Sequence, residues 1–214
     1  MPTDRSALHP GRAASIRTPF FRSDLDSFVS PEAVEACVQP GRFELPFRGD
    51  FSYVAGVDPS GGGPDEFALS ICHLEGQRIV QDCIRGWKSR RPADVVSEAT
   101  RLLGSYKVKT VYGDRYSGEW VKQAFSDQGV RYRYADLTAS DAFLELLPVI
   151  NQGGIDLLDE RKQTAQLIAL ERRRGRAGKD TVSHPAGGHD DRINALAIAA
   201  YRTRHQTQRQ LFFV

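Results

Sequence analysis

From residue 53 onward the apolar positions fall into runs of two different periods. Tyr53-Val54-Ala55-Gly56-Val57 is a short apolar run closed by Asp58, and strand-like segments follow at 67–74 and 77–87. Gly61-Gly62-Gly63 and Glu75-Gly76 supply the turns between them. Beyond residue 90 the period lengthens. Val95, Val96, Ala99, Leu102 and Leu103 share one face of a helix near 92–104, and Trp120, Val121, Ala124 and Phe125 form the inward face of a helix near 118–128. Strands at 109–114 and 130–135 alternate with these helices. A helix at 140–152, a short strand at 155–158, a helix near 160–174 and a long helix from about Asp190 to His205 complete the order. Three hairpin strands followed by alternating helices and strands predict an α/β fold: a mixed β-sheet with three antiparallel hairpin strands plus parallel strands, flanked by helices on both faces.

Residues 1–50 lack this periodicity. Pro2, Pro10, Pro19, Pro31, Pro40 and Pro46 punctuate them, and only 30–38 offers a short helix, with Ser30 as its cap and Pro31 at its first position. The expected organisation is a linker or remnant over 1–50, a globular domain over 51–205 and a tail over 206–214. A hydrophobic content of 40% with 26% charged residues suits a globular chain. No apolar run approaches the roughly eighteen residues of a membrane span, and no charged-then-apolar leader opens the chain. Cys37, Cys72 and Cys83 include no Cys-x-x-Cys pair and read as reduced, idle thiols. A Gly-x-x-x-x-Gly-Lys-Ser/Thr loop is absent, which excludes an ATPase motor from this sequence. The net charge of +2 decides little, because the distribution of charge matters more than its sum.

The chemistry lies in three acidic positions. Asp58 closes the first apolar run, Asp114 closes Thr110-Val111-Tyr112-Gly113, and Asp190-Asp191 opens the last helix after Gly187-Gly188-His189. Each has an ordinary alternative: Asp58 as a turn residue, Asp114 paired with Arg115, and the aspartate pair complementing a helix dipole. Taken together they form a pattern. If the two strands are neighbours and the helix opens over their ends, the carboxylates converge and repel unless a divalent cation joins them. Hard oxygen ligands suit Mg2+ or Mn2+.

Asp58-Pro59-Ser60-Gly61-Gly62-Gly63, the stretch Tyr112-Gly113-Asp114-Arg115-Tyr116-Ser117-Gly118-Glu119-Trp120 and the stretch His184-Pro185-Ala186-Gly187-Gly188-His189-Asp190-Asp191 resemble, in that order, the nuclease domain of tailed-phage terminase large subunits. The resemblance covers about residues 50–204. It implies a ribonuclease H-like fold and a metal-dependent endonuclease that cuts concatemeric double-stranded viral DNA during packaging. Two Mg2+ or Mn2+ ions would be held by Asp58 as the bridging ligand, Asp114, and Asp190 or Asp191, with Asp191 favoured. The implied partners are double-stranded DNA, an ATPase domain, a small terminase subunit and a portal. The implied location is the host cytoplasm, with no membrane. Two rivals stand beside this reading: another nuclease of the same fold, of Holliday-junction resolvase or transposase type, and a catalytically silent module that docks to the motor.

Auxiliary candidates surround these positions. Asp65 follows the first strand and is either an outer contact or a solvated acid, while His184 and His189 flank the aspartate pair and either steer a phosphate or water or simply pack. Glu119 reads as a surface acid. Two basic clusters, Arg85, Lys88, Arg90 and Arg91, and Arg172, Arg173, Arg174, Arg176 and Lys179, are ordinary solvated faces or sequence-independent phosphate contacts.

Overall fold

The computed structural model describes residues 25–59, 65–115, 118–174 and 179–211. The chain order begins β1 (Leu25–Ser27), α1 (Pro31–Glu35), β2 (Val38–Gln39), β3 (Tyr53–Asp58), β4 (Phe67–Glu75), β5 (Arg78–Trp87), α2 (Pro92–Ser105) and β6 (Thr110–Gly113). It continues α3 (Gly118–Asp127), β7 (Arg131–Tyr134), α4 (Ala139–Asn151), β8 (Ile155–Leu158), α5 (Arg161–Ile168), β9 (Glu171–Arg173), β10 (Thr181–Ser183) and α6 (Asp191–Leu211). Seven strands form one mixed sheet in the order β2-β8-β5-β4-β3-β6-β7. Strands β3, β4 and β5 are the antiparallel hairpins, and β6 and β7 extend the sheet in parallel from β3. This is the ribonuclease H-like mixed sheet that the sequence pattern and resemblance predict.

Each face of the sheet has its own core. Ala55 and Val57 pack with Val95, Val96 and Leu103 of α2 and Val121 and Phe125 of α3. On the opposite face Ile193, Leu196, Ala197 and Ala200 of α6 pack with Phe143, Leu146 and Ile150 of α4. Side chains alternate across a strand, so Val54, Gly56 and Asp58 face away from Ala55 and Val57. Gly56 shows what lies there. A Cβ at this position would stand 2.2 Å from the Ala195 carbonyl oxygen and 2.7 Å from the Ala199 nitrogen of α6. Glycine therefore lets the last helix lie directly on β3, and Asp58 is carried on that same face.

Three expectations need correction. Residues 25–39 carry packed elements within the stretch expected to be a linker or remnant: β2 pairs with β8, β1 pairs with β9, and Phe28, Val29, Val34 and Cys37 are buried in the α4–α6 core. Their apolar residues are too scattered for a periodicity signal, yet long-range partners supply their hydrogen bonds. The helix expected over 160–174 stops at Ile168, and 171–173 is the middle strand of a separate sheet, β1-β9-β10. Pairing with two distant strands outweighs local helix preference there. Trp120 is 38% exposed rather than inward, because Val121 and Phe125 alone take the buried face of α3. The three cysteines are free and buried, as expected. The turn proposed at Gly61–Gly63 lies outside the described residues. No helix among the described residues is long and apolar enough to cross a membrane.

Candidate metal centre

Strands β3 and β6 run parallel with Val57 opposite Gly113. One step further, Asp58 and Asp114 leave adjacent strands at the same edge of the sheet, the carboxyl ends where α/β folds place ligands. Tyr112 precedes Asp114 by two residues, and Arg202 of α6 lies 4.2 Å over its ring. Tyr112 is thus on the α6 face. The Asp114 carbonyl accepts a 2.9 Å hydrogen bond from the Tyr132 hydroxyl, which secures the chain where it leaves β6. Gly113 makes that approach possible, since a Cβ there would lie 2.1 Å from the same hydroxyl.

Helix α6 opens over this edge. Burial pushes the Asp58 carboxyl well above the ordinary carboxylate range. The Asn194 side chain opposes this by hydrogen bonding to it, and the charges of Asp114, Asp191 and Asp190 push it further up. The other three aspartates taken from the sequence are therefore close enough for their charges to act on Asp58. Asp190 is also raised by burial, offset by the charge and backbone of His184. Asp191 is raised by burial and by Asp65, offset by a backbone hydrogen bond from Glu66 and by the charge of His189. Only 9% of Asp191 is exposed, and its Oδ2 is buried without a hydrogen-bond partner. Asn194 Oδ1 is a second buried oxygen in the same condition.

Buried oxygens are normally satisfied by a donor. Oxygens left over beside mutually repelling carboxylates are the donor set a hard divalent cation completes. The residues present fit a metal centre.

The auxiliary candidates divide. Asp65 and His189 join the centre: His189 Nδ1 lies 3.4 Å from Asp65 Oδ1 and 4.0 Å from Asp191 Oδ2, and the ligand atoms of the three lie within 4.8 Å of one another. The His184 ring turns to the Pro185 carbonyl at 2.9 Å. Glu119 is an exposed acid held by the Tyr134 hydroxyl at 2.8 Å, as expected. Two residues were not singled out from the sequence. Asn194 sits three and four positions beyond the aspartate pair, on the same side of the helix, and that spacing was the available signal. Glu66 carried no signal of its own, because its role depends on partners in α5 and α6.

Acids engage most of the basic candidates. Arg85 pairs with Glu44, Arg90 with Glu98 at 2.7 Å and Arg91 with Asp94 at 2.9 Å. Arg172 pairs with Asp180, Arg174 with Asp26 at 3.1 Å and Lys179 with Asp141 at 3.2 Å. Lys88 and Arg173 are exposed, and Arg176 lies outside the described residues. Beside Asp114, a cleft of about 440 Å3 is lined by Arg115 and by residues 135–139 at the start of α4.

No known family model matches the sequence, and no curated protein matches it. Among solved structures the fold has clear counterparts. The large terminase nuclease from thermophilic phage G20c superposes with a TM-score of 0.71 at 18% identity, covering 82% of this chain and 98% of that one. The Thermus phage P74-26 large terminase nuclease domain gives 0.66 at 17% identity over 83% and 95%. The HK97 bacteriophage large terminase gives 0.65 at 15% identity over 82% of this chain and 43% of its own length. The G20c nuclease has been solved with bound magnesium, cobalt and zinc. The fold of this chain is that of large terminase nucleases.

Proposed function

We propose that the chain is the nuclease of a phage terminase large subunit, a metal-dependent endonuclease that cuts concatemeric double-stranded viral DNA during genome packaging. One observation carries the reading: at the carboxyl edge of β3 and β6 the charges of Asp114, Asp190 and Asp191 bear on Asp58, beside unsatisfied buried oxygens of Asp191 and Asn194. Likeness of fold to terminase nucleases, including one solved with magnesium, supports it.

Asp58, whose carboxyl feels the charges of the other three acids, would be the ligand shared by two Mg2+ or Mn2+ ions, with Asp114 completing the shell of one and Asp191, aided by Asp190, that of the other. Bound there, such ions would activate an attacking water and stabilise charge at the leaving 3′ oxygen of a phosphodiester. Asn194 holds the Asp58 carboxylate in its orientation, and the Glu66 backbone does the same for Asp191. Partial burial of these groups beside α6 lowers the local dielectric and strengthens their fields. The partners of this role are double-stranded DNA, the ATPase domain, the small terminase subunit and the portal, in the host cytoplasm.

The decisive experiment is cleavage of supercoiled plasmid. Nicking and linearisation with Mn2+ or Mg2+, stopped by EDTA and absent in Asp58→Asn and Asp114→Asn with unchanged circular dichroism, is the expected result. Wild-type cutting by either variant removes the site assignment. Preference for four-way junctions over linear duplex transfers the chain to the resolvases.

A further inference from the structure

We infer that His189 is a nitrogen ligand in this centre and gives it a preference for Co2+ and Zn2+ over Mg2+, an inference that rests on the metal-dependent reading above. The geometry is that of one cation's shell. Ligands about 2.1 Å from a six-coordinate ion are about 3 Å apart when adjacent and about 4.2 Å apart when opposed. His189 Nδ1 stands 3.4 Å from Asp65 Oδ1 and 4.0 Å from Asp191 Oδ2, between those limits. None of these separations is a good hydrogen bond. A direct His–Asp pair would close to hydrogen-bond distance, as the buried His73–Asp82 pair does at 2.8 Å.

The second observation is independent of the cluster's composition. Asp191 is nine-tenths buried, and its Oδ2, the oxygen turned toward His189, has no hydrogen-bond partner. A carboxylate oxygen taken out of water without a donor costs folding free energy unless something else satisfies it. Asp65 and His189 reach the same point from the solvent side, with side chains 62% and 39% exposed. The His189 backbone is set there by a tight turn, in which Gly187 has φ +76° and the Gly188 N–H donates to the Pro185 carbonyl at 2.8 Å. Asp191 thus belongs both to this trio and to the cluster around Asp58.

The consequence concerns metal choice. Carboxylates alone favour hard ions such as Mg2+, whereas an imidazole nitrogen raises affinity for the later divalent metals. One histidine among carboxylates therefore shifts the ranking without abolishing Mg2+ binding.

The test is titration of the whole chain with Mg2+ and, separately, Co2+, read by calorimetry and by the visible absorption of Co2+. His189→Ala is expected to weaken Co2+ at least tenfold, on the scale by which single metal-shell groups act, while Mg2+ changes less than about threefold. His189→Asp is expected to keep Mg2+ binding and lose the Co2+ preference, with a changed absorption spectrum. Equal weakening of both ions in His189→Ala, or no weakening of either, overturns the nitrogen-ligand assignment while leaving the metal centre standing. If wild type binds neither ion, or Asp58→Asn binds both as wild type does, the centre itself fails and this inference falls with it.

Discussion

Arg192 grips Glu66 with two nitrogens, Nε at 2.9 Å from Oε2 and Nη2 at 3.1 Å from Oε1. The two residues follow Asp191 and Asp65 in sequence, so the pair ties the start of α6 to the start of β4 directly beside the candidate centre. Lys162 adds a 2.9 Å bond to Glu66, and Glu160, the N-cap of α5, takes Arg192 Nη1 at 2.7 Å. Gly86 leaves room for the buried carboxylate, because a Cβ there would stand 2.2 Å from Glu66 Cδ.

Breaking this pair on one side leaves a half-buried guanidinium short of its partner. Glu66→Gln is expected to cost about 3 kcal/mol in urea denaturation, and replacing both residues with apolar ones of similar size is expected to cost less than the single change. The pH dependence has a definite sign. Burial raises the Glu66 carboxyl, but the hydrogen bonds and charges of Arg192 and Lys162 outweigh it and hold the group below its ordinary range. Its stabilisation is therefore present above the unfolded value and lost as pH falls through the folded one, an acid-side loss that Glu66→Gln should lack. Equal acid sensitivity in both proteins would assign that loss to other groups.

Asp58, Asp190 and Asp191 carry the opposite sign. Their folded values are raised, so the apo protein should hold their contribution fully below the ordinary carboxylate range and lose it as pH rises through the raised values. The apo melting temperature is expected to fall over that interval, and Mn2+ to reverse the fall. An ion at one hundred times its dissociation constant stabilises by about 2.7 kcal/mol. Asp58→Asn should melt at or above wild type without metal and gain little from Mn2+. A merely turn-forming Asp58 predicts the reverse, a loss of about 1 kcal/mol with the metal response intact.

Two glycine substitutions should move stability in opposite directions. Gly56→Ala drives a methyl into the backbone of α6, so a loss of 3 kcal/mol or more is expected, together with loss of the Mn2+ response. Gly104→Ala in α2 meets nothing within 4 Å and should stabilise by about 1 kcal/mol. Thermal melts of the two proteins with and without Mn2+ check both. A Gly56→Ala chain that melts normally would mean that α6 does not rest on β3.

For DNA, the ion pairs separate arginines that adjoin one another in sequence. Arg173 is exposed, whereas Arg172 is half-buried against Asp180. If this strand meets a duplex, Arg173→Ala should make the slope of log affinity against log salt shallower by about 0.9, and Arg172→Ala should leave it unchanged. An unchanged slope in both returns the cluster to an ordinary solvated face.

The central strands and most helices were legible because their periodicities are long and uninterrupted. Tyr53–Asp58 and Ile155–Leu158 match the expected spans, and the other central strands and the helices α2, α3 and α4 differ by only one residue at their ends, whereas α5 stops six residues short and α6 runs six residues past the expected end. The acidic positions were legible for a related reason: a carboxylate closing an apolar strand stands out locally. What could not be read were features made by distant partners. Strand β9 has three residues and exists through β1 and β10, and β2 exists through β8. The choice between Asp190 and Asp191 stayed open because ideal helical steps place both near the packed stripe. The approach of His189 to Asp65 depends on a turn and a strand end that only the tertiary fold brings together.

The direct seat of α6 on Gly56 also sets an order of events for a growing chain. Strand β3 and its Asp58 leave the ribosome early, whereas Asp190, Asp191 and Asn194 are added only after every other strand of the sheet has been made. Until that last helix docks, a nascent or truncated chain lacks Asp190 and Asp191 together with the Asn194 that holds Asp58. Under the proposed function such a chain is harmless to the DNA around it, and the ability to cut arrives only with a finished fold.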